Sequence, residues 1–160
     1  VIGPAAYSDA AGGNRVTASV IGAGADVIFG QGDGATFGML QAVETGKSTS
    51  GGKGWFIDVI GDKTSIDKGN LLSSVIWNLV PVYSAMVDDL KADTFGTKGY
   101  SIQLNDDSVQ LLHSKHIPDA TWNDVMKVRD EIVAETLKIE PVWEADKVRA
   151  LMTSVTDAPQ

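Results

Sequence analysis

The chain has 160 residues, 43% of them apolar and 21% charged, the size and composition of one ordinary globular domain able to bury a core. Thirteen basic residues against twenty-one acidic ones give a net charge of -8, which opposes binding to nucleic acid, to an anionic membrane surface or to a polyanionic ligand. The absence of cysteine excludes a disulfide framework, a thiolate metal site and a cysteine nucleophile, and no stretch reaches the ~20 apolar residues of a membrane span.

In chain order, the opening VIG runs into PAAYSD as though a strand were entered part-way, and a segment of a longer protein is expected. No signal-peptide pattern is visible there. Asp9 can cap a helix with Val16, Val20 and Ile21 on one side, stopped by Gly22 and Gly24. ADVIF is short and uninterruptedly apolar, the pattern of a parallel strand buried on both faces. A glycine-rich loop follows, then a helix over residues 35 to 45 with Gly46 as its stop, a flexible STSGGKG connection, and a second strand, GWFIDVI. Strand, helix and strand with short links predict right-handed crossovers and a parallel sheet, so the fold class is α/β. LLSSVI reads as a strand or crossing segment. Asn78 can cap the helix NLVPVYSAMVDDLKA, in which Pro81 falls in the first turn. GYSIQLNDDSVQLL has the pattern of a hairpin turning at Asn105, Asp106 and Asp107. Thr121 to Leu137 is an amphipathic helix with Trp122, Val125, Met126, Arg129, Ile132, Val133 and Leu137 at helical spacing, and the tail has a short helix at most.

VIGAGADVI has the glycines of a dinucleotide fingerprint but the order of strand and helix is reversed, so Gly22 and Gly24 are read as helix stops. No Lys-Ser/Thr pair follows GQGDGATFG, which excludes a P-loop. That loop does lie after a parallel strand and before a helix, at the sheet edge where open α/β folds bind ligands. Its glycines allow close approach of the backbone, while Asp33 would accept hydrogen bonds and repel a phosphate, so a polar neutral ligand is expected. The competing reading is a plain turn whose Asp33 caps the next helix. In the second strand Asp58 interrupts an apolar run, and an unpaired carboxylate there would cost several kcal/mol. A ligand hydroxyl, a lysine or backbone amides could supply its donor. Asp62 sits just beyond, in a GDKT stretch that also suits a turn.

Together these stretches resemble the basic membrane protein family, substrate-binding lipoproteins of ABC importers whose characterised members bind purine nucleosides. YSDAAGGNRVTASVIGAGADVIFGQGDGATFG is similar to the family's aromatic, helix-starting Asp, alanine-rich helix and ligand loop. WFIDVIGDK resembles the strand with the ribose-binding aspartate, LLSSVIWNLVPVYSAMV the hinge segment and its helix, and GYSIQLNDDSVQLL with IPDATWNDVMKVRDEIV the closing hairpin and last long helix. The resemblance implies the C-terminal part of a two-lobed type I periplasmic-binding fold. It divides the chain into a ligand-loop half at 1–76, a hinge-following helix at 77–98 that packs on the N-terminal lobe, and a closing hairpin with C-terminal helices at 99–160. Residue by residue, Tyr7 could stack on a base, Gly32, Asp33, Gly34 and Phe37 occupy the ligand loop, and Asp58 or Asp62 takes the sugar hydroxyls. Gapless alignment favours Asp62, but Asp58 is preferred for its burial. Where nucleoside binders carry a hinge lysine this chain has Trp77, which could stack on a planar ligand or fill the space as core, so a free purine base is expected as readily as a nucleoside.

His113 and His116 follow a strand and share no helix face, so no metal site is expected, and Ser73, Ser74 and Ser84 lack a histidine partner for hydrolysis. The expected function is capture of a small neutral ligand without catalysis or cofactor, with ABC importer membrane subunits and the N-terminal lobe as partners and no nucleic acid. The expected location is extracytoplasmic, with a lipid anchor carried outside this chain. A sensor domain of a transcription regulator, or a nucleotide-dependent α/β enzyme, are the alternatives.

Overall fold

A computed structural model of the protein describes residues 5–49 and 51–156, with side chains through Met152; the VIG opening lies outside the described residues. The chain forms two compact units that divide between Asp124 and Val125. The first unit holds a sheet of four strands in the order β1 (Val27–Phe29), β2 (Trp55–Ile60), β3 (Leu71–Trp77) and β4 (Val109–Leu111). The first three are parallel and β4 runs antiparallel to β3.

Helices α1 (Ala10–Gly22) and α2 (Thr36–Thr45) close one face of this sheet. Ile21 from α1 and Leu40 and Val43 from α2 meet Phe56 of β2 and Leu71 of β3 in the buried core, with Ile28, Met39 and Leu112 packed against it. Each fully buried side chain of this size contributes about 1.5–3 kcal/mol. Asp9 caps α1 as its sequence position predicts, its Oδ1 accepting the Gly12 N–H at 2.7 Å. The buried face of α1, however, is Gly12, Gly13, Thr17 and Ile21, whereas Val16 and Val20 are exposed. Close approach of the two helices selects that face: a Cβ on Gly38 would stand 1.7 Å from the Ala10 carbonyl oxygen, and one on Gly13 would stand 2.5 Å from that of Ala35. Only glycine allows backbone to meet backbone there.

Three further expectations are corrected. β1 is an edge strand and not one buried on both faces; Ile28 enters the core, but Phe29 on the other face is 62% exposed. The expected hairpin is a turn through residues 104–107 followed by β4 alone, joined to the preceding segment by one bond from Val109 N–H to Gln103 O, because β4 takes its ladder from β3. The tail carries a full helix, α5 (Ala145–Thr156), longer than the sequence pattern suggests. Helix α3 (Val80–Lys91) begins after Asn78, whose Oδ1 accepts the Val80 N–H at 3.3 Å, with Pro81 in its first turn. It buries no residue, and Val80, Tyr83, Val87 and Leu90 form an exposed apolar stripe. Helix α4 (Asp119–Val133) also has no fully buried residue, and the boundary of the two units falls within it.

Candidate functional site

Because β1, β2 and β3 point the same way, the segments that follow them emerge at one edge of the sheet. These are the glycine loop after Phe29, the turn after Ile60, and Trp77 with Asn78 after β3. The registers show how close they come. Phe29 pairs with Ile57, and the Gly30 N–H donates to Ile57 O at 2.9 Å, so Gly30 lies beside Asp58. Ile60 pairs with Ile76, so Trp77 lies beside Gly61. The loop and the acidic strand expected to share one edge therefore do so.

In the glycine loop, Gly32 is buried and extended into a 3-10 turn over Asp33–Ala35. Asp33 takes a left-handed backbone, φ 49°, which short polar residues tolerate. It is exposed, and among the described residues its carboxylate has no hydrogen-bond partner; in particular it does not cap α2. Gly34 lies against the backbone of Tyr7, since a Cβ there would stand 3.1 Å from the Tyr7 carbonyl oxygen, and the Tyr7 ring is exposed. Phe37, in the first turn of α2, is exposed and lines an open groove of about 490 Å³ with Asn14, Arg15 and Gln41. Tyr7 and Gly34 thus meet at the loop beside Gly32 and Asp33, whereas Phe37 faces the groove between α1 and α2.

The acid of β2 behaves differently. Asp58 is fully buried, and its partners are internal: Oδ1 accepts the Val59 N–H at 2.8 Å and Oδ2 lies 2.7 Å from Lys63 Nζ. That approach is an ion pair lying off the hydrogen-bond direction rather than an aligned bond. Of the three donors open to it, then, Asp58 uses the lysine and a backbone amide. The chain reverses to bring Lys63 back, with Ile60 in the left-handed region at φ 79°. A β-branched residue there costs on the order of 1–3 kcal/mol, so the turn must be held from several sides. Lys63 Nζ also donates to Val59 O at 3.3 Å, and the buried Ser74 hydroxyl donates to Gly61 O at 2.8 Å. Asp62 is the exposed acid of this turn, with Oδ1 accepting the Thr64 N–H at 2.8 Å. Trp77 is 39% exposed at the end of β3.

The opposite edge is fastened by Asp67, whose Oδ1 accepts the N–H groups of Gly69, Asn70 and Leu71 at 2.7–2.8 Å. Burial pushes this carboxyl up, but the Leu71, Gly69 and Asn70 amides and the nearby His116 outweigh it and hold it below the ordinary carboxylate value. His116 Nε2 lies 3.7 Å from Asp67 Oδ2 with its ring tilted against Trp55, and His113 stacks flat on Trp122 at 4.4 Å. Both histidines are therefore packed into the frame. Sequence reading missed Lys63, Ser74 and Asp67. A lysine five residues after an acid in an apolar strand was the available signal for the first.

Comparison with solved structures defines the class. The chain superposes on a solute-binding protein of an ABC transporter system from Aeropyrum pernix K1 with a TM-score of 0.71 at 14% identity, over 94% of this chain and 50% of that one. It superposes on another from Conexibacter woesei with a TM-score of 0.61 at 18% identity, over 85% and 44%. A transcriptional activator of the comK gene from Bacillus halodurans gives 0.68 at 16% identity, over 84% and 46%. These likenesses show a periplasmic-binding-like fold, and the chain spans about half the length of each. No curated protein matches the sequence. The Bmp family model, described as ABC transporter substrate-binding protein PnrA-like, matches residues 5–141, and the chain belongs to that family.

Proposed function

We propose that the chain is the C-terminal part of the solute-binding component of an ABC importer, which captures a small neutral ligand, a purine nucleoside or base, between two lobes. The observation that carries this reading is the convergence at one sheet edge of a glycine loop with an uncommitted acid, Asp33, a second exposed acid, Asp62, and a half-exposed indole, Trp77. Carboxylates accept hydrogen bonds from hydroxyl or ring N–H groups, aromatic faces hold a planar ring, and neither would attract a phosphate. Tyr7 and Phe37 would supply further aromatic contact, and Asp58 would act beneath the turn that carries Asp62. Capture shifts an open-to-closed equilibrium and no bond chemistry follows.

In this reading the exposed stripe of α3 packs on the N-terminal lobe, and the match to only about half of each solute-binding neighbour supports it. The protein works outside the cytoplasm beside the importer's membrane subunits, with a lipid anchor upstream. No helix among the described residues is long and apolar enough to cross a membrane. Isothermal titration of the full-length protein with adenosine, guanosine, inosine and free purines tests the ligand; silence across the panel overturns the purine assignment. The transcriptional activator among the structural neighbours favours a second reading, a sensor domain. An upstream helix-turn-helix would support that one, and a signal with a lipid-accepting cysteine the importer.

A further inference from the structure

We propose that Lys63 is a ligand-contacting residue of this site, donating a hydrogen bond to an acceptor oxygen or nitrogen of the bound molecule, and that Asp58 is the residue that positions it. The inference rests on the solute-capture reading above. An ammonium carries three donors. Among the described residues Lys63 Nζ makes one aligned hydrogen bond, to Val59 O at 3.3 Å, beside its ion pair with Asp58 Oδ2 at 2.7 Å, so donor capacity remains for a further acceptor. Its side chain is 19% exposed, so the cation is neither sealed in the core nor loose in water. Its ammonium is held at Asp58 and Val59 in the carboxyl half of β2, whose sheet neighbours at that level are Gly30 of the ligand loop on one side and Ser74 and Val75 of β3 on the other.

Stability alone does not account for such a pair, because buried ions lose their hydration and an apolar pair of similar volume does as well or better. What the pair does provide is direction. Asp58 fixes where the ammonium sits, Ser74 fixes the Gly61 carbonyl, and the left-handed Ile60 turns the chain back so that Nζ reaches the strand tip. A preset donor of this kind selects ligands by an acceptor at one place and rejects those that would leave the buried proton unpaired. The pair as a whole is neutral, which keeps the pocket suited to an uncharged molecule.

The test uses the full-length protein and the panel of adenosine, guanosine, inosine and free purines. Lys63→Met alone strands the buried Asp58 charge and can unfold the protein, so the decisive variant is the neutral pair Asp58→Asn with Lys63→Met, its folding checked by thermal unfolding. The expected result is at least a tenfold weaker Kd for the molecule that wild type binds, with the Asp58→Asn variant alone, which keeps the lysine but not its anchor, already losing most of that affinity. A folded double variant that binds as wild type does overturns the proposal. So does a folded Asp58→Asn variant that binds as wild type does, which would make the acid unnecessary to the lysine's contact. If wild type itself binds no member of the panel, the capture reading fails and this inference with it, an outcome distinct from the other two.

Discussion

Gly38→Ala places one methyl group where α1 and α2 cross, and the structure fixes both the sign and the size of its effect. In a free helix the change is favourable by about 0.8–1.0 kcal/mol, because alanine has less backbone freedom to lose. Here the new Cβ would stand 1.7 Å from the Ala10 carbonyl oxygen, 2.6 Å from its carbon and 3.0 Å from its Cα. An unforced carbon to oxygen contact is about 3.3 Å, so the helices must part by roughly 1.6 Å. The obstacle is backbone, which cannot swing aside as a side chain would, and overpacking costs about 1–3 kcal/mol even where some give exists. Separation also breaks the bond from Asn14 Nδ2 to Gly38 O at 3.2 Å, a loss of about 1 kcal/mol. The balance is a destabilisation of about 1–3 kcal/mol. Gly22→Ala is the matched control, since a Cβ there meets nothing within 4 Å and its φ is not positive, and it should leave stability unchanged or raise it by up to about 1 kcal/mol. Urea unfolding of the full-length protein, followed by circular dichroism, measures both. If Gly38→Ala is as stable as wild type, the helices are not in backbone contact and the description of the lobe's core is wrong.

Asp9→Ala removes the acceptor of the Gly12 N–H and should cost about 1 kcal/mol in thermal unfolding, with Asp9→Ser recovering most of it. Asp67 is held below its ordinary pKa of 3.8, so the stability it contributes is fully present above that value and is lost as pH falls through the lower folded value. Asp67→Asn should therefore be less stable than wild type at neutral pH, and the gap should narrow as the pH falls progressively below 3.8 in urea unfolding. A difference that persists undiminished in acid would mean that shape, not charge, makes Asp67 important. Trp77→Ala should weaken binding of a planar ligand about three- to tenfold by titration while moving the thermal midpoint little, because the indole is half-exposed.

Much of the frame was legible. The stop signals at Gly22 and Gly46 and the apolar run of β2 are local features, and each element appears close to where they place it. What failed was everything decided by distant neighbours. The apolar letters of β1 do not tell whether anything covers the face of Val27 and Phe29, and nothing in the first unit's sheet does. Val16 and Val20 look like the inward face of α1 until glycine contacts with α2 select another. Residues 100–111 alternate as a hairpin would, yet the partner of β4 is β3, more than 30 residues back. The positive φ of Ile60 had no signal at all, because β-branched residues avoid that region, and the return of Lys63 to Asp58 depends on it.

Asp58 also separates two roles that the sequence presents alike. An acid inside a strand and an acid just past its end both look like receptors for ligand hydroxyls. On the proposed capture reading, however, the protein spends part of every cycle empty. If a ligand were the sole partner of Asp58, the empty lobe would carry a buried unpaired carboxylate, at several kcal/mol against a total stability of only about 5–15 kcal/mol. Pairing with Lys63 removes that penalty in both states. Asp33 and Asp62 are exposed, so neither carries a burial penalty that a partner must offset. On that reading the requirement to survive unliganded gives ligand exchange to the exposed loop acids and leaves the strand acid to hold Lys63 in place.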